Sequence, residues 1–324
     1  MCTAICFHHD HHFFGRNLDL NYNLPVSVVV VPRRYPILFK ALDTLTEHHA
    51  IYGVGMPQKD YPFFFDCVNE CGLGFAGLNF PGFAHFFPKE EGKTNLAPYE
   101  LPLYLLGKFK TVKEVKEALK NIVIADLPFS DKLPLATLHY IISDKEEAIV
   151  IEQEKDGLHV YDNPYGVLTN NPPFSYHQFN LNNYMNITNE DPTNRFSKDL
   201  PLYPYGKAMG AIGLPGDSSP ASRFVKETFL LHNVTMFDTP LENVTQAFHL
   251  LNSVSTLHGE CKQPNGSFEY TIYSSIYDAD QKELYIKTYK NSALQRYTLT
   301  DKERDSEEII IHKVFEKEMV QEIG

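Results

Sequence analysis

The chain opens on two short apolar runs, residues 2–7 (CTAICF) and 12–20 (HFFGRNLDL), separated by the polar stretch His8-His9-Asp10-His11. This pattern predicts an antiparallel hairpin turning near His9-Asp10, and after Pro25 the run from Val26 to Val31 reads as a buried strand. Strand character returns at 73–80, 136–143, 147–152, 157–162, 269–277, 283–289 and 294–299, with turn chemistry at Asp278-Ala279-Asp280. Helical spacing is rarer. Residues 111–120 begin with Thr111 and Glu114 placed as a capping box, and Val112, Val115 and Leu119 share one face. Ser219-Pro220 signals the start of a helix over 220–231, and 241–252 has the same period. Loops rich in Pro and aromatics are expected at 56–66, 80–100 and 125–135, and an Asn/Pro-rich one at 172–219. Many strands with several intervening helices imply a layered fold with mostly antiparallel sheets.

A chain of 324 residues can bury a sizeable core, as one large domain or two smaller ones. A formal charge of −12 without any Lys/Arg-rich run argues against nucleic acid as a partner, since phosphate binding needs a basic surface. No apolar run reaches the roughly 20 residues needed to span a bilayer, and the start lacks the basic and apolar regions of a signal peptide. The expectation is a cytoplasmic protein, not a membrane one, beginning at residue 2. Five cysteines (Cys2, Cys6, Cys67, Cys71, Cys261) make a disulfide framework improbable, and Cys67 and Cys71 are expected to be buried free thiols. His8, His9, His11 and His12 crowd one turn, but no carboxylate cluster accompanies them, so no metal is expected.

If the first two runs pair about a turn at His9-Asp10, Cys2 sits across from Asn17, with Arg16 and Asp19 beside it on the neighbouring strand. Positions 16 and 19 face opposite sides of a regular strand, so both reach Cys2 only if the strand kinks or ends near 17–18, and Gly15 would allow a local distortion. A cysteine at position 2 has a side chain small enough to permit removal of Met1, which leaves a free α-amine beside a thiol. Their ordinary pKa values, about 8 and about 8.5, suit proton transfer near neutrality. A guanidinium nearby favours thiolate and neutral amine, and a carboxylate can orient the amine. One residue then supplies both nucleophile and base. By default, though, an N-terminal Met-Cys is incidental and Arg-x-x-Asp is a solvated ion pair.

The start MCTAICF…FFGRNLDL resembles the choloylglycine hydrolases, the family of bile salt hydrolases and penicillin V acylases. Four further blocks are similar to the same family: GLGFAGLNFPG (72–82), LPLATLHYIISD (133–144), YGVLTNNPPF (165–174) and GLPGDSSPASRF (213–224). Together they cover nearly the whole chain. The resemblance implies an α+β fold, the four-layer αββα sandwich of N-terminal-nucleophile hydrolases, as a single domain over 1–324. It implies Cys2 as nucleophile, completed by Arg16, Asp19, Asn79, Asn170 and Arg223. An Asn amide can donate to a tetrahedral oxyanion, the role expected of Asn170 with Asn79 assisting. Arg223 and its helix N-terminus would offer positive potential toward the thiolate. No cofactor is required, and a homotetramer is implied. The family often has Trp where this chain has Tyr140, and the His-rich first turn is unusual.

Three readings follow from the resemblance. Hydrolysis of conjugated bile salts is favoured by Asn79, where penicillin acylases of the family tend to carry Tyr. Penicillin V acylase chemistry, with acyl-homoserine lactones as a variant, is the alternative, and a non-catalytic ligand-binding descendant is a third. For the acyl side, three loops supply an apolar wall: Leu20, Tyr22 and Leu24; Tyr61, Phe63, Phe64 and Phe65; and Leu127, Phe129 and Leu133. Phe64 in particular is expected to serve the core.

Overall fold

Along the strand Ile51–Gly55, Ile51 faces one way and Tyr52 the other, yet both are fully buried. Strands buried on both faces require a layer on each side. The computed structural model describes residues 1–58 and 61–323, and it has that architecture. A seven-stranded sheet runs in the order Val167–Leu168, Cys2–His9, His11–Leu20, Phe268–Asp278, Glu283–Thr288, Asn291–Thr298, with Cys261–Lys262 added on Phe268–Asp278. An eight-stranded sheet runs Gly157–Asp162, Ala148–Glu154, Leu138–Ser143, Gly74–Asn79, Phe64–Asn69, Ile51–Gly55, Ser27–Val31, Ile310–Lys313. Every pairing within these two sheets is antiparallel.

Between the sheets, Val28, Val30, Val68, Ile141 and Val150 of one meet Phe14, Leu18 and Tyr277 of the other. The helices Leu101–Lys108 and Val112–Leu119 cover the outer face of the eight-stranded sheet, packing Leu101, Leu105, Val115 and Leu119 with Ile51, Phe75 and Ile142. The helices Pro220–Asn233 and Pro240–Ser253 cover the seven-stranded sheet through Phe224, Val244, Ala247 and Leu251. The result is the αββα sandwich. Each fully buried aliphatic side chain contributes about 1.5–3 kcal/mol by leaving water.

The capping box of Thr111 and Glu114 forms as expected. Ser219 precedes its helix, but its side chain makes no cap bond; its hydroxyl donates to Ser222 Oγ at 3.0 Å while Asp217 takes the Ser219 N–H at 3.0 Å. Several elements fall where loops were expected. Phe64–Asn69 begins inside the 56–66 loop, residues 59 and 60 of which lie outside the described residues. Thr94–Leu96 pairs in parallel with Ile122–Ile124, and the helix Phe174–Asn180 opens the 172–219 segment. Ile51–Gly55, Leu101–Lys108 and Ile310–Lys313 also escaped the sequence reading. These are short segments whose continuous apolar runs have neither a clean period of two nor of 3.6.

The hairpin is one register step from expectation. Asp10 turns alone in the left-handed region (φ 59°), which Asp tolerates, so His9 pairs His11 and Cys2 pairs Leu18 rather than Asn17. The strand His11–Leu20 continues unbroken past Gly15, where a Cβ would strike the Ser275 carbonyl. The irregularity lies instead on the neighbouring strand, between Thr271 and Tyr273, beside Asp19. Cys67 is buried, whereas Cys71 is exposed because it sits in the turn after the strand that buries Cys67; all five thiols are free.

Candidate active site

The alternation of the hairpin sorts the predicted residues onto two faces. Cys2, Leu18 and Arg16 share the face toward the eight-stranded sheet, while Thr3, Asn17 and Asp19 share the face toward the helices. The Arg16 guanidinium crosses to the opposite sheet, donating from Nη1 to the carbonyls of Gly77 (2.7 Å) and Phe65 (3.0 Å), while its Nη2 has no partner. Asp66, fully buried, stands 3.9 Å from Arg16 Nε and accepts hydroxyl bonds from Tyr273, Ser275 and Tyr277. On the helix side, Asp19 accepts from Thr271 Oγ1 at 2.7 Å and leaves its other oxygen, Oδ2, buried and unpartnered. As the first residue of its strand, Cys2 escapes the face conflict: its side chain goes to the Arg16 face and its nitrogen leaves at the strand end. No kink is needed.

Strand pairing also delivers Asn170. Ala4 lies opposite Leu168, so the continuing chain brings Asn170 alongside Cys2. Asn170 Oδ1 accepts the Cys2 N–H at 2.6 Å, and its Nδ2 donates to the Asn79 carbonyl at 2.8 Å. Arg223, in the first turns of its helix, is buried rather than on the surface. Its Nη2 donates to Asn170 Oδ1 (2.9 Å), its Nη1 to Thr3 Oγ1 (2.5 Å) and the Cys2 carbonyl, and its Nε to the Ser218 carbonyl (3.0 Å). The oxyanion role read from sequence would occupy the Asn170 amide donor. In the structure one N–H of that group is already given to Asn79, and the oxygen faces Cys2. The Asn79 side-chain amide lines the cavity beside Cys2 and has no hydrogen-bond partner among the described residues.

Met1 precedes Cys2 in this chain; its amine donates to the Asp19 carbonyl at 3.3 Å and pairs with Glu269. Burial holds that amine below its ordinary 8.0, and Arg223 pushes the same way, while Cys2 and Asp19 oppose both. Burial raises the Asp19 carboxyl, against the lowering influence of Arg223, the amine, Thr271 and Arg16. Arg16 loses hydration on burial, but Cys2, Tyr273, Asp66 and Asp19 more than compensate and its pKa rises.

Cys2 stands in the wall of a cavity of about 400 Å³ between the sheets and three loops. Leu20, Tyr22, Leu24, Phe65, Phe129 and Leu133 all line it, and so do Phe63 and Phe64. Phe64 also packs on the core under the helix layer. Leu127 and Tyr61 lie outside the cavity wall. Residues that the sequence did not single out, among them Met56, Tyr99 and Leu138, complete the wall. Sequence reading also missed Asp66 and Thr271, because the partners that define them are some 50 to 250 positions away, as the Tyr273–Asp66 and Thr271–Asp19 separations of 207 and 252 illustrate. Two of the four turn histidines are committed elsewhere, His11 to Asp278 at 2.8 Å and His12 to Ser143 and Gly72 at 3.0 Å each. Among the described residues no group of three or more His, Cys, Asp or Glu is arranged to hold a metal.

A buried cysteine at position 2, its backbone held by Arg223 and Asn170, its charge environment set in part by Arg16, at the wall of an apolar cavity, defines an amide-hydrolase type of site. The family model of linear amide C–N hydrolases, the choloylglycine hydrolase family, matches residues 2–312. The chain belongs to this family. It is 43% identical over 310 residues to a bile salt hydrolase/transferase of Lactiplantibacillus plantarum, covering 96% of each chain. It is 38% identical over 319 residues to the bile salt hydrolase/transferase of Clostridium perfringens, covering 97% of each. A solved variant of the conjugated bile acid hydrolase from Clostridium perfringens matches the whole of both chains with a TM-score of 0.92 at 36% identity. Penicillin V acylase from Agrobacterium tumefaciens shares the fold, with a TM-score of 0.74 at 20% identity over 96% of this chain and 90% of its own.

Proposed function

We propose that this chain hydrolyses the amide bond of conjugated bile salts, releasing glycine or taurine, with Cys2 as an N-terminal nucleophile after Met1 is removed. One observation carries the reading: Cys2 lines the cavity of about 400 Å³ while its nitrogen rests 2.6 Å from Asn170 Oδ1. Removing Met1 turns that nitrogen into a free α-amine with the Asn170 oxygen already in place to orient it. The thiol proton passes to the amine as Sγ attacks the substrate carbonyl. The Asn79 amide, lining the cavity beside Cys2, and the second N–H of Asn170 supply donors for the developing oxyanion. The α-ammonium returns its proton to the leaving amine, and water, deprotonated by the same amine, resolves the thioester. Arg16 supplies positive charge on the thiol side, Arg223 holds Asn170 and the Cys2 carbonyl, and the Asp19 carboxylate acts electrostatically on the terminal amine.

The apolar wall, with Leu20, Leu24, Phe65 and Phe129 inside and Tyr22 and Leu133 at its exposed rim, suits a steroid body; the cavity volume falls within the roughly 300–1,000 Å³ of small-molecule sites. Five free thiols are consistent with a reducing compartment, and we take the enzyme to act in the cytoplasm. We also infer a homotetramer, supported by exposed Phe196, Tyr203 and Tyr205 on the excursion after residue 184. The test is incubation of the protein with glycocholate, taurocholate and penicillin V side by side, reading released glycine, taurine or penicillin nucleus. Faster cleavage of the bile salts supports the proposal; penicillin V as the better substrate assigns the chain to acylase chemistry instead.

A further inference from the structure

Behind the site, two buried histidines donate to consecutive backbone carbonyls. His139 Nε2 lies 2.8 Å from the Thr169 carbonyl, and His177 Nε2 lies 2.8 Å from the Asn170 carbonyl. Neither imidazole reaches Cys2 or the cavity; both grip the chain that carries the Asn170 side chain. Each ring is clamped flat by an aromatic plate, His139 on Phe80 (centroids 4.4 Å apart, planes at 6°) and His177 on Phe224 (4.8 Å, 26°). His139 Nδ1 faces Glu152 Oε1 at 2.8 Å, and the two Glu152 oxygens also receive the Phe174 N–H at 3.0 Å each.

Both His139 nitrogens face acceptors, so the His139–Glu152 pair must hold two protons, as imidazolium with carboxylate or imidazole with carboxylic acid; either way it carries no net charge. His177 has one partnered nitrogen, and its buried Nδ1 has none, which fixes it as the neutral tautomer protonated at Nε2. Burial agrees, holding His177 down to about 4. A surface turn would let water satisfy these two carbonyls. Here two imidazoles and a buried carboxyl are spent on them, so the backbone at Thr169 and Asn170 has little freedom to rotate.

We propose that His139, Glu152 and His177 are positioning residues that brace Thr169 and Asn170, and so aim the Asn170 oxygen at the Cys2 amine. This rests on the reading of Asn170 given above. The experiment measures kcat and KM for taurocholate, with thermal unfolding alongside, in His177→Phe, His177→Gln and Asn170→Ala. His177→Phe keeps the stack on Phe224 but removes the donor, and kcat should fall by about tenfold or more with KM within about twofold. His177→Gln restores an N–H and should recover most of that loss. If phenylalanine does not fold at this position, His177→Leu carries the same expectation. A parental kcat in His177→Phe or His177→Leu, or a change in KM alone, overturns the brace while a defective Asn170→Ala keeps the reading of Asn170. Parental turnover in Asn170→Ala overturns that reading, and the brace with it.

Discussion

Arg223 Nη2 and the Cys2 N–H converge on one oxygen, Asn170 Oδ1, at 2.9 and 2.6 Å. The guanidinium fixes which end of the Asn170 amide faces Cys2, because only the oxygen can accept two donors. Arg223 also holds the Cys2 carbonyl, so the Cys2 backbone is tied at one end directly to a side chain 221 positions away in sequence and at the other through the Asn170 oxygen that the same guanidinium holds. A free Cys2 amine therefore has a fixed address before substrate arrives.

Replacing Arg223 by Leu frees the Asn170 amide to flip and removes a buried cation. Turnover should fall by about a hundredfold, the scale of losing one preorganised active-site donor, with a smaller change in KM. Arg16→Leu should act the same way from the thiol face, and additionally strands Asp66. Steady-state kinetics of both variants, with unfolding curves to separate folding losses, check this; a change confined to KM would mean that the arginines only hold substrate.

The parts of this site that were legible in the sequence are those the hairpin brings close. Cys2, Arg16 and Asp19 follow from two apolar runs and a turn, even with the register one step off at Asp10. Asn79, Asn170 and Arg223 were reached only through resemblance, since each is by itself an ordinary turn or helix residue. His139 shows a signal that was passed over: a polar residue second in the largely apolar strand LHYIIS, at a position that is fully buried. Glu152 sits likewise in AIVIEQE. A buried charge in a strand needs a partner, but the sequence does not say which, because the partner comes from a different strand or a loop. The short strands and the helix Leu101–Lys108 were missed for the same reason, as their identity is set by tertiary packing rather than by period.

The environment of the amine sets a pH expectation. Burial holds the Met1 amine below its ordinary 8.0, and the Cys2 amine takes a place one residue further in. A lowered pKa means that the neutral, proton-accepting form is populated at lower pH. The acid limb of kcat/KM should therefore rise with pH through an ionisation below 8.0. A pH–rate profile whose acid limb lies at or above that value would contradict the amine as base in this pocket.

Glu227 gives a stability prediction away from the chemistry. It is fully buried between the two outer helices, with Oε1 unpartnered and Ser253 Oγ at 3.2 Å from Oε2. Burial lifts its carboxyl from 4.5 to about 7, against the opposing Ser253 hydroxyl and Lys226. A raised carboxyl binds a proton more tightly when folded than unfolded, so its contribution is present below pH 4.5 and is lost as pH rises through about 7. The loss is on the order of 3 kcal/mol once both states have ionised. Glu227→Gln should match the parent near pH 4.5 and be the more stable protein above pH 7, in denaturant unfolding at both pH values. Equal pH dependence in the two proteins would show that this carboxyl is not the source.

In the proposed reaction the Cys2 thiol carries the acyl group. The most direct measurement is intact and peptide mass analysis of enzyme mixed with taurocholate and quenched in acid within the first turnover. The expected result is a chain lacking Met1, a cholyl adduct on the peptide that begins with Cys2, and neither adduct nor taurine release in Cys2→Ala. Replacing Cys6, Cys67, Cys71 or Cys261 by Ser should leave the adduct in place. An adduct on any other residue, active enzyme that retains Met1, or taurine released by Cys2→Ala would contradict that mechanism.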